Sequence, residues 1–149
     1  MHILTKQDLS VYYYIEDTFS SVSYLTITDE FPVRGLTIPT VSVENAKIRP
    51  RPWEIGNKKQ KEDRTWNIDI FAKNKTQRDE LSYQITRALY SGIPVYDYDE
   101  GFPPDITPTR LGYLHPLHIE VTPVRVMPEL VEKMYYRATV MFVAEYSYL

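Results

Sequence analysis

The sequence contains no cysteine and only 5 glycines among its 149 residues. The absence of cysteine excludes disulfide frameworks, thiolate zinc sites and cysteine nucleophiles. A glycine-rich phosphate loop is missing, as are a Gly-x-Ser-x-Gly nucleophile elbow and a His-Glu-x-x-His zinc motif. These absences predict a protein that is not an enzyme and that needs no cofactor.

Long apolar runs are also missing, and none approaches the roughly 20 residues that a membrane-spanning helix needs. The first residues lack the apolar stretch and the small-residue cleavage site of a signal peptide. We therefore expect no membrane partner, and a protein that is made and kept in a cytoplasm. The composition, 43% hydrophobic and 25% charged, is typical of a globular chain, so we expect a single domain over residues 1–149.

The few residues with metal-binding chemistry do not form a convincing site. His115 and His118 are spaced as metal ligands on a helix would be, but Pro116 and the alternation that follows indicate extended chain, in which they would face opposite sides. The acidic run 97–101 begins like a calcium loop, but its glycine comes one residue early and no later carboxylate completes the pattern. No carboxylate pair stands out for acid–base catalysis. We expect neither a metal site nor catalytic residues.

Charge is unevenly distributed, although the net charge is only −3. Seven basic and three acidic residues lie between Lys47 and Arg64, whereas four acidic and no basic residues lie between Asp97 and Asp105. Two solvated loops would explain this pattern, and so would the two halves of a contact between neighbouring copies. We predict such a contact. Its expected residues are Arg49, Arg51, Trp53, Lys58 and Lys59 on the basic side, and Asp97, Asp99, Glu100 and Phe102 on the acidic side.

The basic segment could instead bind nucleic acid, because cations neutralise phosphates and the indole of Trp53 could stack on a base. Pro50, Pro52, the interspersed acidic residues and the acidic chain as a whole argue against this interpretation. We expect no specific nucleic-acid binding and keep a small nucleic-acid-binding module as an alternative function. Trp53 would otherwise pack on a neighbour at a strand end.

Two helices are predicted. The first covers Gln7–Ser20, although the aromatic and β-branched run Val11–Ile15 suits a strand equally well. The second covers Gln77–Tyr90, with Thr76 and Asp79 forming a capping box at its start. The predicted apolar faces contain Leu9, Tyr12, Tyr13 and Phe19 in the first helix, and Leu81, Ile85 and Leu89 in the second.

Period-two alternation predicts the strands, and prolines and glycines predict the loops between them. Pro50 and Pro52 favour an extended edge. Mobile loops are predicted over Gly56–Asp63 and Gly101–Thr107. The order α-β-β-β-α-β-β-β predicts an α+β fold with a mainly antiparallel sheet that one or two helices cover on one face. The predicted strands lie at 22–27, Ile38–Ile48, Thr65–Phe71, 95–98, 117–121 and Tyr135–Tyr148.

Several phrases of the sequence form a recurring pattern: TITDEFPVRGLTIPTVSVE, WEIG, DIFAKNKTQRDEL, YDYDEGFPP and YYRATVMFVAEYSYL. Together they resemble the tail-terminator and neck proteins of the head–tail junction in tailed bacteriophages. The resemblance implies an α+β subunit of a hexameric ring that ends the tail tube and docks on the head connector. It also implies tail tube and neck proteins as partners, and a virion location after assembly in a host cytoplasm. A connector or adaptor ring on the head side fits the same residues.

Overall fold

The computed structural model describes residues 1–29, 38–52, 60–125 and 136–148. Its elements follow the predicted order. They are α1 (Ile3–Thr18), β1 (Thr26–Thr28), β2 (Thr40–Pro52), β3 (Gln60–Ala72), α2 (Lys75–Leu89), β4 (Ile93–Asp97), β5 (Thr109–Arg125) and β6 (Tyr136–Tyr148). Neither helix in this part of the chain has the length and apolarity that crossing a membrane requires.

The six strands form one sheet in the order β1-β2-β3-β6-β5-β4. The predicted α+β class is confirmed, but the sheet is mixed, because β1 runs parallel to β2 while the other four pairs are antiparallel. A parallel pair needs a crossover connection of about a dozen residues. Residues 29–39, which join β1 to β2, are long enough for one, and the local sequence pattern could not show which direction the chain takes.

Both helices pack against one face of the sheet. The strands contribute even-numbered residues of β3 and β6 to this core, and the predicted stripe of α2 is confirmed because Leu81, Ile85 and Leu89 are all buried in it. Burial of such side chains is the main favourable term in folding. The strand residues at the centre of this core are Trp66, Ile68, Ile70, Val140, Phe142 and Ala144.

The cap of α2 differs from the prediction. Asn74, rather than Thr76, precedes the helix, and its side-chain oxygen accepts a hydrogen bond of 2.8 Å from Gln77 N. The Gln77 side chain in turn accepts a 3.0 Å hydrogen bond from Lys73 N. Asn is among the best N-cap residues, so the helix begins two residues earlier than predicted.

α1 is a helix, so the alternative of a strand over Val11–Ile15 is wrong. It begins at Ile3, where His2 Nδ1 accepts a hydrogen bond from Leu4 N at 3.2 Å. The predicted apolar face is also wrong except at Phe19. The buried face follows a spacing of four through Gln7, Val11, Ile15 and Phe19, whereas Leu9, Tyr12 and Tyr13 are only half-buried.

β2 and β3 are longer than predicted and form a hairpin-like pair. Gln60–Asp63, which the sequence assigned to a mobile loop, belong to β3 and pair with Arg49–Pro52. Residues 53–59 lie outside the described part of the chain. β1 pairs only with Thr40–Ser42, so among the described residues the rest of β2 has β3 as its one neighbour. Within the described part of the chain, Pro50 and Pro52 thus lie on an edge of the sheet, as predicted.

A β-bulge corrects the orientation of two histidines. In β5 the register shifts between Pro116 and His118, so His115 pairs with Glu145 and His118 with Val143. Because both partners are odd-numbered residues of β6, the two histidines lie on the same face. The predicted placement on opposite sides is wrong, since alternation alone does not reveal an extra residue.

Candidate assembly surface

Two oppositely charged segments lie at the same end of the sheet. The first, called the ribbon, consists of Lys47–Pro52 of β2 paired with Gln60–Thr65 of β3. The second, called the acidic loop, is Asp97–Thr107, which begins at the last residue of β4. The register places the end of β2, the start of β3, the end of β6, the start of β5 and the end of β4 together.

The ribbon and the acidic loop nevertheless lie on opposite lateral sides of that end. β2 is second from one edge of the sheet, and β4 is the other edge. The four strand spacings between them amount to about 19 Å at about 4.8 Å each. Among the described residues, no ion pair joins the two segments.

The acidic loop is fastened to α1 by an ion-pair cluster. Lys6 Nζ lies 2.9 Å from Asp97 Oδ1 and 2.9 Å from Asp99 Oδ2, and the Met1 amino group lies 2.9 Å from Asp99 Oδ1. Hydrogen bonds from Lys6 and then from the Met1 amine lower the pKa of Asp99 to about 2. The hydrogen bond to Asp99, followed by that to Asp97, raises the pKa of Lys6. Two of the predicted interface carboxylates thus have partners within their own chain.

Aromatic stacking and backbone hydrogen bonds shape the rest of the acidic loop. The buried Tyr98 ring lies 5.5 Å from that of Tyr13 and stacks at 5.9 Å on that of Phe102. Gly101 N donates to Tyr98 O at 3.2 Å, and Ile106 N donates to Phe102 O at 3.1 Å. The predicted irregular structure is confirmed, and its mobility stays a prediction. Phe102 remains 46% exposed, and Glu100 and Asp105 are exposed around it.

The described part of the ribbon exposes a basic side and an apolar side. Lys47, Ile48, Arg49 and Pro50 are all exposed. Since side chains alternate along a strand, Lys47 and Arg49 lie on one face while Ile48 and Pro50 lie on the other. The predicted interface residue Arg51 is in β2 opposite Lys61. Of the remaining predicted residues, Trp53, Lys58 and Lys59 lie outside the described residues.

Arg64, counted with the basic segment, is not a surface charge. It is 2% exposed, and its guanidinium lies 4.7 Å above the Trp66 ring. Arg64 Nη2 lies 2.8 Å from Asp8 Oδ1, and Nη1 donates to Leu4 O at 2.9 Å and to Gln7 Oε1 at 3.2 Å. This contact fastens the start of α1 to the base of the ribbon.

Sequence reasoning missed the role of α1 in holding both segments. Lys6 contacts the acidic loop, and Asp8 contacts Arg64, Trp66 and Asn45 at the base of the ribbon. Lys6 and Asp8 are two residues apart, which on a helix is a rotation of roughly 200°. Their side chains therefore point to opposite sides of α1. The available signal was the opposite charge of Lys6 and Asp8. It indicates contacts on two sides of α1 only when the helix begins early enough to include both residues, as it does at Ile3.

Other polar groups in the described part of the chain form no metal cluster of three or more ligands. His115 Nε2 lies 2.7 Å from Ser147 Oγ, and His118 Nε2 lies 2.8 Å from Glu120 Oε1. A cavity of about 210 Å³ lies between α1 and β2, and its lining includes Asp8 and Tyr12. Burial, together with Glu16, raises the pKa of Tyr12 to about 12, so its hydroxyl stays protonated at neutral pH.

Three comparisons with known proteins found similarity only to solved structures. No protein-family model matches the chain, and no curated protein matches it. Among solved structures, the chain is similar to one from the virion of a native gene transfer agent particle, with 14% identity and a TM-score of 0.45. The likeness covers 96% of this chain and 90% of that chain. Both the identity and the TM-score are too low to transfer a fold or a function.

Proposed function

We propose that this protein is a structural virion subunit that assembles head to tail into a ring. The observation that carries the proposal is the placement of the ribbon and the acidic loop at one end of the sheet and on opposite lateral sides. A ring needs a heterologous interface, in which one surface of each copy meets a different surface of the next. Two segments of opposite charge at the same end of the sheet provide such a pair of surfaces.

The more specific role rests on the sequence resemblance. We propose a ring of six copies that ends the phage tail tube and joins it to the head connector, with tail tube and neck proteins as its partners. Assembly would take place in the host cytoplasm and leave the ring in the virion. A connector or adaptor ring on the head side is the alternative, and it uses the same lateral contact between copies.

We further propose that the chain has no catalytic role and needs no cofactor. The carboxylates and imidazoles that would be candidates are engaged by neighbours: Asp8 by Arg64, Asp99 by Lys6, His115 by Ser147 and His118 by Glu120. We also propose no specific nucleic-acid binding, because Arg64 belongs to the interior rather than to a basic surface. Retention on DNA with a steep dependence on salt would favour the nucleic-acid alternative instead.

The contact between copies is tested by charge reversal of exposed residues. Asp97 and Asp99 are unsuitable because they hold the loop to α1, so Glu100→Lys is combined with Asp105→Lys. We expect wild type to sediment as a ring and the double variant as a smaller species at low salt, because like charges now meet across the interface. Reversing Lys47 and Arg49 to glutamate in the same chain should restore part of the ring.

The control and the assignment of the ring use two further measurements. Glu80→Lys reverses one carboxylate at an exposed position of α2, and we expect it to leave the sedimentation unchanged. Electron microscopy of the ring mixed with tail tubes then separates a terminator, which caps tube ends, from a head-side connector, which does not. A wild-type protein that stays monomeric at every salt concentration contradicts the ring.

A further inference from the structure

The acidic loop presents an aromatic ring on a preformed base. Phe102 stacks on the buried Tyr98, which is itself packed against Tyr13 of α1. The hydrogen bond from Ile106 N to Phe102 O closes the backbone around it. A ring fixed in this way loses little conformational entropy when a partner covers it, which favours binding.

Phe102 and the exposed residues around it, called the knob, combine an apolar ring with negative charge. Its ring is 46% exposed, and three exposed carboxylates lie within three residues of it in sequence: Asp99, which Lys6 engages, Glu100 and Asp105. Counting Lys6 and the Met1 amino group against the four acidic residues of the loop leaves two negative charges. The surface is therefore an apolar centre with an acidic rim, which suits a partner with an apolar centre and a basic rim.

The ribbon of this same chain has the complementary composition. Ile48 is 44% exposed and lies between the exposed cations Lys47 and Arg49, which project on the other face. Because this part of β2 has β3 as its one neighbour among the described residues, a partner at its outer edge can contact both faces of the strand. Pro50 has no backbone donor, so this edge favours contact by side chains over the addition of another strand.

We propose that Phe102 of one copy covers Ile48 of the next, with Glu100 and Asp105 directed toward Lys47 and Arg49. The proposal rests on the head-to-tail ring and names the centre of its interface. Charge complementarity selects a second copy of this chain as the occupant. Asp97 and Asp99 then act inside the subunit, where they position the loop through Lys6.

The test compares association of the wild type with Phe102→Ala and Ile48→Ala by sedimentation over a range of concentrations. A buried aromatic anchor is worth about 2 kcal/mol or more, so each variant should raise the dissociation constant roughly 30-fold. Because the two side chains contact each other, the double variant should be little worse than either single one. The losses should persist at high salt, unlike those of charge reversal.

Matched controls separate the interface from general surface effects. Tyr83→Ala removes an aromatic ring that is 65% exposed on α2, and Leu117→Ala removes an aliphatic chain that is 56% exposed on β5. We expect both to associate like the wild type. Should Phe102→Ala unfold, Ile48→Lys serves in its place, because the ribbon position is exposed.

The failures of this inference and of the proposed function are distinguishable. If Glu100→Lys with Asp105→Lys weakens the ring but Phe102→Ala and Ile48→Ala do not, the ring stands and the Phe102–Ile48 centre is wrong. If additive losses are found, the two residues contact different surfaces and the pairing is wrong. If the wild type never associates, both proposals fall.

Discussion

The ribbon and the acidic loop carry charges of similar size and opposite sign in the sequence but are built in different ways. The acidic loop is held from inside its own chain, because Lys6 engages Asp97 and Asp99 while Tyr98 anchors the ring of Phe102. The ribbon extends as two strands in which residues 45–50 are exposed, and its base is held by the contacts of Arg64 and by the pairing of Asp63–Thr65 with β6. The acidic loop is thus a knob anchored by side-chain contacts, and the ribbon is an extended arm held at its base.

The difference shows that local charge counts overstate the charge available to a partner. Lys6 offsets part of the acidic loop, and Asp8 offsets Arg64 at the base of the ribbon. Both compensating residues belong to the first two turns of α1. The same helix therefore fixes the relative position of the two contact surfaces, which matters because the angle between them decides whether a ring closes.

The largest effect is expected at the base of the ribbon. Arg64→Ala should lower the free energy of unfolding by about 3 kcal/mol, because it leaves Asp8 without its cation and the Leu4 carbonyl without its donor. Asp8 is one-third exposed, which keeps the cost at the low end. Urea denaturation measures the change. A loss of this size would show that Arg64 belongs to the interior, although it is part of the basic segment.

The matched variant for this comparison is Arg49→Ala, which removes the same side chain from the exposed part of the ribbon. We expect a change within about 0.5 kcal/mol. Equal losses for the two variants would mean that the ribbon is as tightly packed as its base. That result would contradict the description of the ribbon as an extended arm that is held at its base.

The fold was predictable where the signal is local. The stripe Leu81, Ile85 and Leu89 identified α2, and the alternation of Tyr136–Tyr148 identified β6. The buried face of α1 was not predictable in the same way. Its tyrosines look apolar in sequence, yet Gln7 is buried because it accepts a hydrogen bond from Arg64, 57 residues away.

The candidate site was predictable in composition but not in its contacts. The sequence placed Asp99, Glu100 and Phe102 on one loop after a short strand that contains Asp97, and the structure agrees. It could not show that Lys6 would reach Asp99, because the two residues are 93 positions apart and meet only through the packing of α1 on β4. The bulge after Pro116 was hidden for a similar reason, since it depends on the register with β6.

A smaller effect is expected at Gly101 in the acidic loop. Its φ of +144° lies where side chains are rarely found, and an added Cβ would be 2.5 Å from Ile106 Cδ1. Gly101→Ala should therefore lower the free energy of unfolding by about 1–2 kcal/mol and speed amide exchange at Ile106 N. Thr107→Ala, an exposed position of the same loop, is the control. No change at Gly101 would indicate the mobile loop that the sequence predicts.

The smallest effect concerns the pH dependence of the Lys6–Asp99 contact. The folded-state pKa of Asp99 is about 2, below its ordinary 3.8, so its contribution to stability is present above pH 3.8 and is lost as the pH falls toward 2. Lys6 titrates in the opposite sense. Its pKa is raised above 10.5, so its contribution is present below that pH and is lost at higher, alkaline pH.

Asp99→Asn should therefore be less stable than the wild type near neutral pH, and the two should converge by about pH 2. The difference should be small and should shrink with salt, because the Asp99 carboxylate is 45% exposed. Asp105→Asn removes an exposed carboxylate of the same loop and is the charge-matched control. Urea denaturation between pH 2 and 7 measures all three proteins. If Asp99→Asn and Asp105→Asn follow the same curve, Lys6 does not hold the loop, and the knob is no more fixed than the arm.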